Sequence, residues 1–195
     1  WFDEAYRVAQ SKLFVMALRI RKQFLYENRK NVKAAIIVWD QQEKYLDRKH
    51  VIEAAWNWIN MTIPVISSTF ASFSRMCKNL GAETLGHLFI DEAGQALPQA
   101  AVGAIYRSRH VMVVGDPLQI KPVLTLDSNT LYMLGEHFGV TEKYLSASAS
   151  AQILADAASQ YGFYRKQDKA EDSWVGIPLW VHRRCRYPMF TISNM

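Results

Sequence analysis

Apolar residues along the first segment fall at Phe2, Tyr6, Ala9, Leu13, Met16, Ile20 and Phe24. Spacings of mostly three and four draw one stripe down a helix, so residues 2–27 are predicted to form a long amphipathic helix with a packing face. Arg19, Arg21 and Lys22 come late in it, where cations complement the negative end of the helix dipole. A second helix is expected over 31–45. A third is expected over 48–60, with Val51, Ile52, Ala55, Trp56 and Ile59 on its apolar side. The pattern then changes. Residues 62–67 of "TIPVISSTF" are a short, β-branched run that predicts a buried strand leaving into Ser67-Ser68-Thr69. "HLFID" (87–91) and "HVMVVGD" (110–116) repeat the plan, and "IPLWVHR" (177–183) offers a fourth strand. Helices are expected near 98–107 and within "SAQILADAASQYG" (150–162), while "YRKQDKAEDSW" (164–174) reads as a charged surface loop.

Strands alternating with helices imply parallel βαβ units, and continuous apolar strands fit a sheet covered on both faces. The predicted fold is therefore α/β, with an all-helical subdomain over 1–60 and a parallel-sheet domain over 61–195. In such sheets ligands gather at the carboxyl ends of the strands. Asp91, Asp116 and Thr69 all fall at such ends.

Composition narrows the picture modestly. The chain has 195 residues, half of them hydrophobic, and no apolar run near the roughly 20 residues that cross a bilayer. The start, "WFDEAYRVAQ", has neither an initiator Met nor the build of a signal peptide, so the chain is expected to be a piece of a longer, cytoplasmic protein. Two cysteines, Cys77 and Cys185, form no CxxC pair, and five scattered histidines form no HExxH, which argues against a disulfide framework or a zinc site. Net charge is +5. Residues 1–60 carry 11 Lys/Arg against 7 Asp/Glu, and the remainder carries 12 against 11. That bias suits a polyanionic partner and equally suits a solvated face. The same holds for "RKNVK" (29–33), and for base stacking by Trp39, Trp56 and Trp58 against simple packing.

The candidate chemistry lies at the strand ends. Asp91 and Glu92 are adjacent at the end of an extended run and so point different ways; one can face a metal ion and the other a water molecule. Small Ala93 and Gly94 follow, leaving room beside a phosphate. An acidic pair is also an ordinary solvated strand end. In "VMVVGDPLQIKPV" (111–123), Gly115 permits close backbone approach to a ligand, and Asp116 and Gln119 follow on a Pro-containing turn. Gly, Asp and Pro also make a good turn for no catalytic reason.

Taken together these segments resemble a known family. "FIDEAGQALPQ" (89–99) resembles helicase motif II and "VVGDPLQIKPV" (113–123) resembles motif III of superfamily 1 helicases, nearest to the 5′-to-3′ branch that includes the nonsense-mediated-decay and Dna-two-like helicases. "PVISSTFAS" (64–72) resembles the short motif before motif II, and "VHRRCRYPMF" (181–190) a divergent motif IV. The resemblance implies a RecA-like P-loop NTPase sheet using ATP and Mg²⁺ while moving on single-stranded DNA or RNA. It implies Asp91 for Mg²⁺, Glu92 as the catalytic carboxylate, Gln119 as the γ-phosphate sensor, and Gly115 and Asp116 in the nucleotide-binding loop. Ser68, Thr69 and Ser72 become contacts to a nucleic-acid backbone. Arg184 becomes the motif IV arginine, although "HRRC" stands where the family has Gln-Tyr-Arg-Met, and Arg183 fits the same role.

The departure is an absence: none of the nine glycines precedes a lysine, so no P-loop GxxxxGK[ST] occurs. The P-loop is therefore expected upstream of Trp1 and the second RecA-like domain downstream of Met195. The chain by itself is expected to hydrolyse ATP poorly. Loss of an inner strand is expected to expose sheet edges, through which an isolated piece would pair with another chain. The alternative is a P-loop ATPase that works on protein partners without nucleic acid.

Overall fold

The computed structural model describes residues 3–116, 120–124, 126–145, 149–166 and 173–178. They form two compact units, Trp1–Leu85 and Gly86–Met195.

The first unit is helical. Asp3 caps α1 (Glu4–Glu27) by accepting the Ala5 N–H at 2.9 Å, and α2 (Arg29–Asp40) and α3 (Lys49–Thr62) follow. A 3-10 turn at Gln42–Tyr45 ends the second predicted helix early. The short α4 (Phe70–Met76) completes the unit. Its core is Ile52 and Trp56 from α3 with Cys77 and Leu80 from the chain after α4, flanked by Tyr45, Phe73, Met76 and Leu85. Burying each such aliphatic or aromatic side chain is worth about 1.5–3 kcal/mol, which offsets the cost of ordering helices that isolated peptides would hold weakly. Trp56 is 2% exposed and meets Trp39 edge-on, while Trp58 stacks on Phe24 with ring centroids 5.9 Å apart. Trp56 is thus a packing residue and cannot serve as a base-stacking platform.

Three expectations are corrected here. The apolar stripe of α1 does not pack as predicted: the helix has no buried residue, and Leu13 and Ile20 are 69% and 68% exposed. Periodicity marks a face, but what covers it depends on the neighbours available. Arg21 does not serve its own helix end either. Its Nε donates to the Met61 carbonyl at 2.6 Å and its Nη2 to the Thr62 carbonyl at 3.0 Å, filling the unmet acceptors at the end of α3. The strand expected over 62–67 is also absent. The chain leaves α3 at Thr62 and runs irregularly to Thr69, with Val65 81% exposed. A β-branched run needs a partner strand, Pro64 contributes no donor, and no described strand pairs with it.

The second unit holds β1 (Leu85–Ile90), a 3-10 turn at Ala93–Gln95, α5 (Pro98–Tyr106) and β2 (Ser108–Val113). After these come α6 (Ser128–Phe138), α7 (Ala151–Ala158), β3 (Phe163–Arg165) and β4 (Ser173–Val175). β1 and β2 pair as a small parallel sheet. Val114 N–H donates to the Ile90 carbonyl and the Val114 carbonyl accepts from Ala93 N–H, so Val114 bonds back and forward along its neighbour and spans the left-handed Glu92 where the ladder ends. The βαβ crossover through α5 is the predicted one. The sheet is not covered on both faces as expected. Phe89 and Met112 are 69% and 57% exposed, because among the described residues no further strand or helix covers them. His87 and His110 stack across this open sheet with centroids 5.0 Å apart.

The buried positions of this unit are mostly small: Ala93, Ala101, Ala104, Ala149 and Ala151, with Ile90 and Leu131. Small side chains let backbones approach closely, which sets up the strand-end site. The predicted charged loop over 164–174 is flanked by a hairpin instead. β3 pairs antiparallel with β4, Tyr164 opposite Trp174, and the two rings meet at 5.1 Å. Ile177 and Pro178 are irregular, and the rest of the fourth predicted strand lies outside the described residues. No described helix is long and apolar enough to cross a membrane.

Candidate nucleotide site at the strand ends

Parallel pairing puts the carboxyl ends of β1 and β2 side by side, and with them the two acid-bearing turns. The chain turns out of β1 at Glu92, whose φ of 53° and ψ of 39° are left-handed. A residue with a Cβ is unfavourable there by roughly 1–2 kcal/mol, and such outliers cluster at functional sites. The conformation starts the tight Ala93–Gln95 turn, closed by Gln95 N–H to the Glu92 carbonyl at 2.9 Å. Ala93 and Gly94 are buried while Asp91 and Glu92 stay exposed. Asp91 Oδ1 accepts the Glu92 N–H at 3.0 Å, and Glu92 Oε2 accepts from Gln95 Nε2 at 3.4 Å.

The second turn lies directly against the first. A Cβ on Gly94 would come within 2.6 Å of the Asp116 carbonyl oxygen, and one on Gly115 within 2.8 and 2.9 Å of the Gly94 and Ala93 nitrogens. Two glycines therefore face each other's backbone. This corrects one expectation, that the small residues leave room beside Gly94. Gly115 makes its close approach to the neighbouring turn, and the space beside Gly94 is filled by Asp116 rather than left open. Asp116 itself is exposed at the same end as Asp91.

The acids suit a hard cation. Mg²⁺ typically takes one or two protein carboxylates and completes its shell with water and phosphate oxygens. Asp91 Oδ1 takes the bond from Glu92, and its second carboxylate oxygen has no partner among the described residues. Among the described residues no group of three or more His, Cys, Asp or Glu side chains could form an all-protein cage.

The other predicted residues distribute as follows. Thr69 is the N-cap of α4, its Oγ1 accepting the Ser72 N–H at 3.3 Å, and Ser68 Oγ donates to the Thr69 carbonyl at 3.0 Å. These three belong to the first unit and the acids to the second. Gln119, Arg183 and Arg184 lie outside the described residues. Two residues escaped the sequence reading: Gln152 and Asp156 of α7, whose helix start is bonded to the acidic turn by Ala151 N–H to the Ala96 carbonyl at 2.8 Å. Polar residues four apart in an otherwise apolar helix were the signal available.

A family model described as an AAA domain matches residues 7–126, more than half of the chain. The chain belongs to this AAA domain family. The AAA domain is one found in superfamily 1 helicase-like proteins, and it marks a helicase-like ATPase motor region. The mixed helix and strand structure with its parallel pair is compatible with part of a RecA-like α/β domain. Membership of the AAA domain family implies a nucleotide and usually Mg²⁺, and the helicase-like relationship suggests nucleic-acid partners. The matched span includes Thr69, Asp91, Glu92, Gly115, Asp116 and Gln119 and ends before Arg183 and Arg184. No curated protein and no solved structure matches the chain.

Proposed function

We propose that this chain is part of the first motor domain of a superfamily 1 DNA or RNA helicase, of the 5′-to-3′ branch, in which ATP hydrolysis drives movement along a single strand. Residues 1–60 are its helical insertion and 61–195 the remaining part of the motor. One observation carries the reading: parallel β1 and β2 deliver Asp91-Glu92 and Gly115-Asp116 to one end, backbone against backbone, within a domain of this family.

In this reading Asp91 holds Mg²⁺, which when bound offsets the negative charge of the β- and γ-phosphates. Glu92, exposed at the strand end, accepts a proton from the water that attacks the γ-phosphorus. Asp116 supports the loop that carries Gln119, and Gln119 detects loss of the γ-phosphate. Arg184, or Arg183 in its place, stabilises the charge developing on the transferred group. Ser68, Thr69 and Ser72 hold the sugar–phosphate backbone, a contact that positions without reading sequence.

The test is ATP turnover by the full-length protein with and without single-stranded DNA or RNA. Stimulation by one of them is expected, and none with either removes the helicase reading. Glu92→Gln is expected to abolish turnover while leaving binding of Mg·ATP intact; normal turnover by that variant removes Glu92 from the mechanism.

A further inference from the structure

Helix α7 contains a polar pair that packing alone does not explain. Asp156 is buried, and its Oδ1 accepts two neutral donors, the Gly176 N–H at 2.9 Å and Gln152 Nε2 at 3.2 Å. The amide group of Gln152 is thereby held at its nitrogen end. Its other end, Oε1, is shielded from solvent and finds no hydrogen-bond donor among the described residues. That oxygen lies 2.9 Å from the point a Cβ on Gly115 would occupy, and the Ala93 and Gly94 nitrogens lie within 2.9 Å of the same point. One residue earlier, Ala151 N–H donates to the Ala96 carbonyl at 2.8 Å. Within about one and a half turns of helix, α7 reaches the acidic turn through Ala151 and the exit from β4 through Asp156.

A buried acceptor without a donor calls for an explanation, because proteins satisfy nearly all such groups. Here two backbone nitrogens of the turn that carries Glu92 lie close to the same point, and of these Ala93 N–H is already given to the Val114 carbonyl while Gly94 N–H lies beside it. A shift of that turn toward α7 would bring the Gly94 N–H to Oε1, and a shift away would withdraw it. Because the same amide donates to Asp156, its reorientation alters the carboxylate that holds Gly176. Gly176 is in sequence the residue from which the segment bearing Arg183 and Arg184 departs.

We propose that Gln152 and Asp156 are positioning residues that couple the Glu92–Ala96 turn to the chain leaving β4 at Gly176. The coupling is a property of the fold; its effect on turnover rests on the function proposed above.

Amide hydrogen exchange in the full-length protein tests the coupling without reference to activity. In Gln152→Ala, amides 93–96 and Gly176 are expected to exchange faster together, by about fivefold or more, while the amides of α6 keep their wild-type rates. Asp156→Asn, which retains an acceptor oxygen for Gly176, is expected to restore most of the protection that Asp156→Ala loses. Change confined to one side of α7 in Gln152→Ala overturns the proposal, as does unchanged exchange on both sides. Should Asp156→Ala fail to fold, Gln152→Ala and Gln152→Leu still decide it. In ATP turnover, Gln152→Ala is expected to lower kcat about tenfold with KM within about twofold, the signature of misplaced chemistry rather than lost binding. A wild-type protein with no ATPase activity would remove the functional reading and leave the exchange result standing.

Discussion

Substituting Gly115 by Ala tests the contact on which the strand-end site depends. Gly115 is not in the left-handed region, so the penalty is steric. The new methyl would meet the Gly94 nitrogen at 2.8 Å, with the Ala93 nitrogen and Gln152 Oε1 both at 2.9 Å, where ordinary contacts begin at 3.4 Å. Two of the three atoms are backbone, and moving them by about half an ångström pulls on the Ala93 N–H to Val114 carbonyl bond of 3.0 Å. Overpacking of this kind costs about 1–3 kcal/mol. A weakened backbone bond adds about 1 kcal/mol. Restricting the unfolded chain returns about 0.4–1 kcal/mol. The net destabilisation is expected to be about 2–3 kcal/mol, taking these magnitudes together. Gly86→Ala is the control, because a Cβ there meets nothing within 4 Å; it should be neutral or slightly stabilising. Native-state exchange at the Val114 and Ala93 amides reads the local opening free energy, and urea unfolding reads the whole. A Gly115→Ala protein within about 0.5 kcal/mol of wild type would refute the close approach of the two turns.

Glu92→Gly relieves the left-handed strain and is expected to raise the unfolding midpoint, a gain of about 0.5–1 kcal/mol after the added flexibility of glycine, while abolishing turnover. A destabilised Glu92→Gly protein in urea unfolding would contradict the strained turn. Arg21→Ala removes both donors from the end of α3 and is expected to cost about 1–2 kcal/mol, with Arg21→Lys recovering only part; denaturation followed by Trp fluorescence checks this. Asp127 caps α6, and the Thr130 hydroxyl first, then the Thr130 N–H, hold its carboxyl below the usual value. Its folded pKa is depressed, so its contribution is present above the unfolded value of about 3.9 and is lost as pH falls through the folded pKa. Titration of wild type against Asp127→Asn should show the stability difference shrinking below pH 4, and a difference that persists unchanged down to pH 2 would contradict this. Thr69→Ala removes the N-cap of α4, at a cost of about 1 kcal/mol, and is expected also to weaken single-strand binding uniformly across sequences in a fluorescence-anisotropy titration.

The parts legible in the sequence were those written as repeated patterns. Three helices over the first 60 residues and the β1–α5–β2 crossover follow from periodicity, and the acids at the strand ends follow from where the apolar runs stop. What depended on neighbours was not legible. Val65 and Ile66 look like a strand but have no partner strand among the described residues, whereas Tyr164 and Trp174 sit in a charged stretch and do pair. The exposure of α1 could not be read because a stripe does not name its cover. Glu92 gave no sign of its left-handed backbone, since glutamate has no preference for it. Gln152 and Asp156 belong to no motif, and their meaning comes from atoms brought together across the chain from Ala93 to Gly176.

The arrangement around Arg21 has a mechanical consequence. At 1.5 Å per residue, the stretch from Tyr6 to Arg21 extends about 22 Å beyond the bonds to Met61 and Thr62. No side chain of α1 is buried along that length, so its direction relative to α3 is set near its C-terminal end, by the Arg21 bonds and the Phe24–Trp58 stack. A rotation of about 10° there would sweep the far end by about 4 Å, so a small adjustment at the end of α3 would be magnified along the exposed stripe.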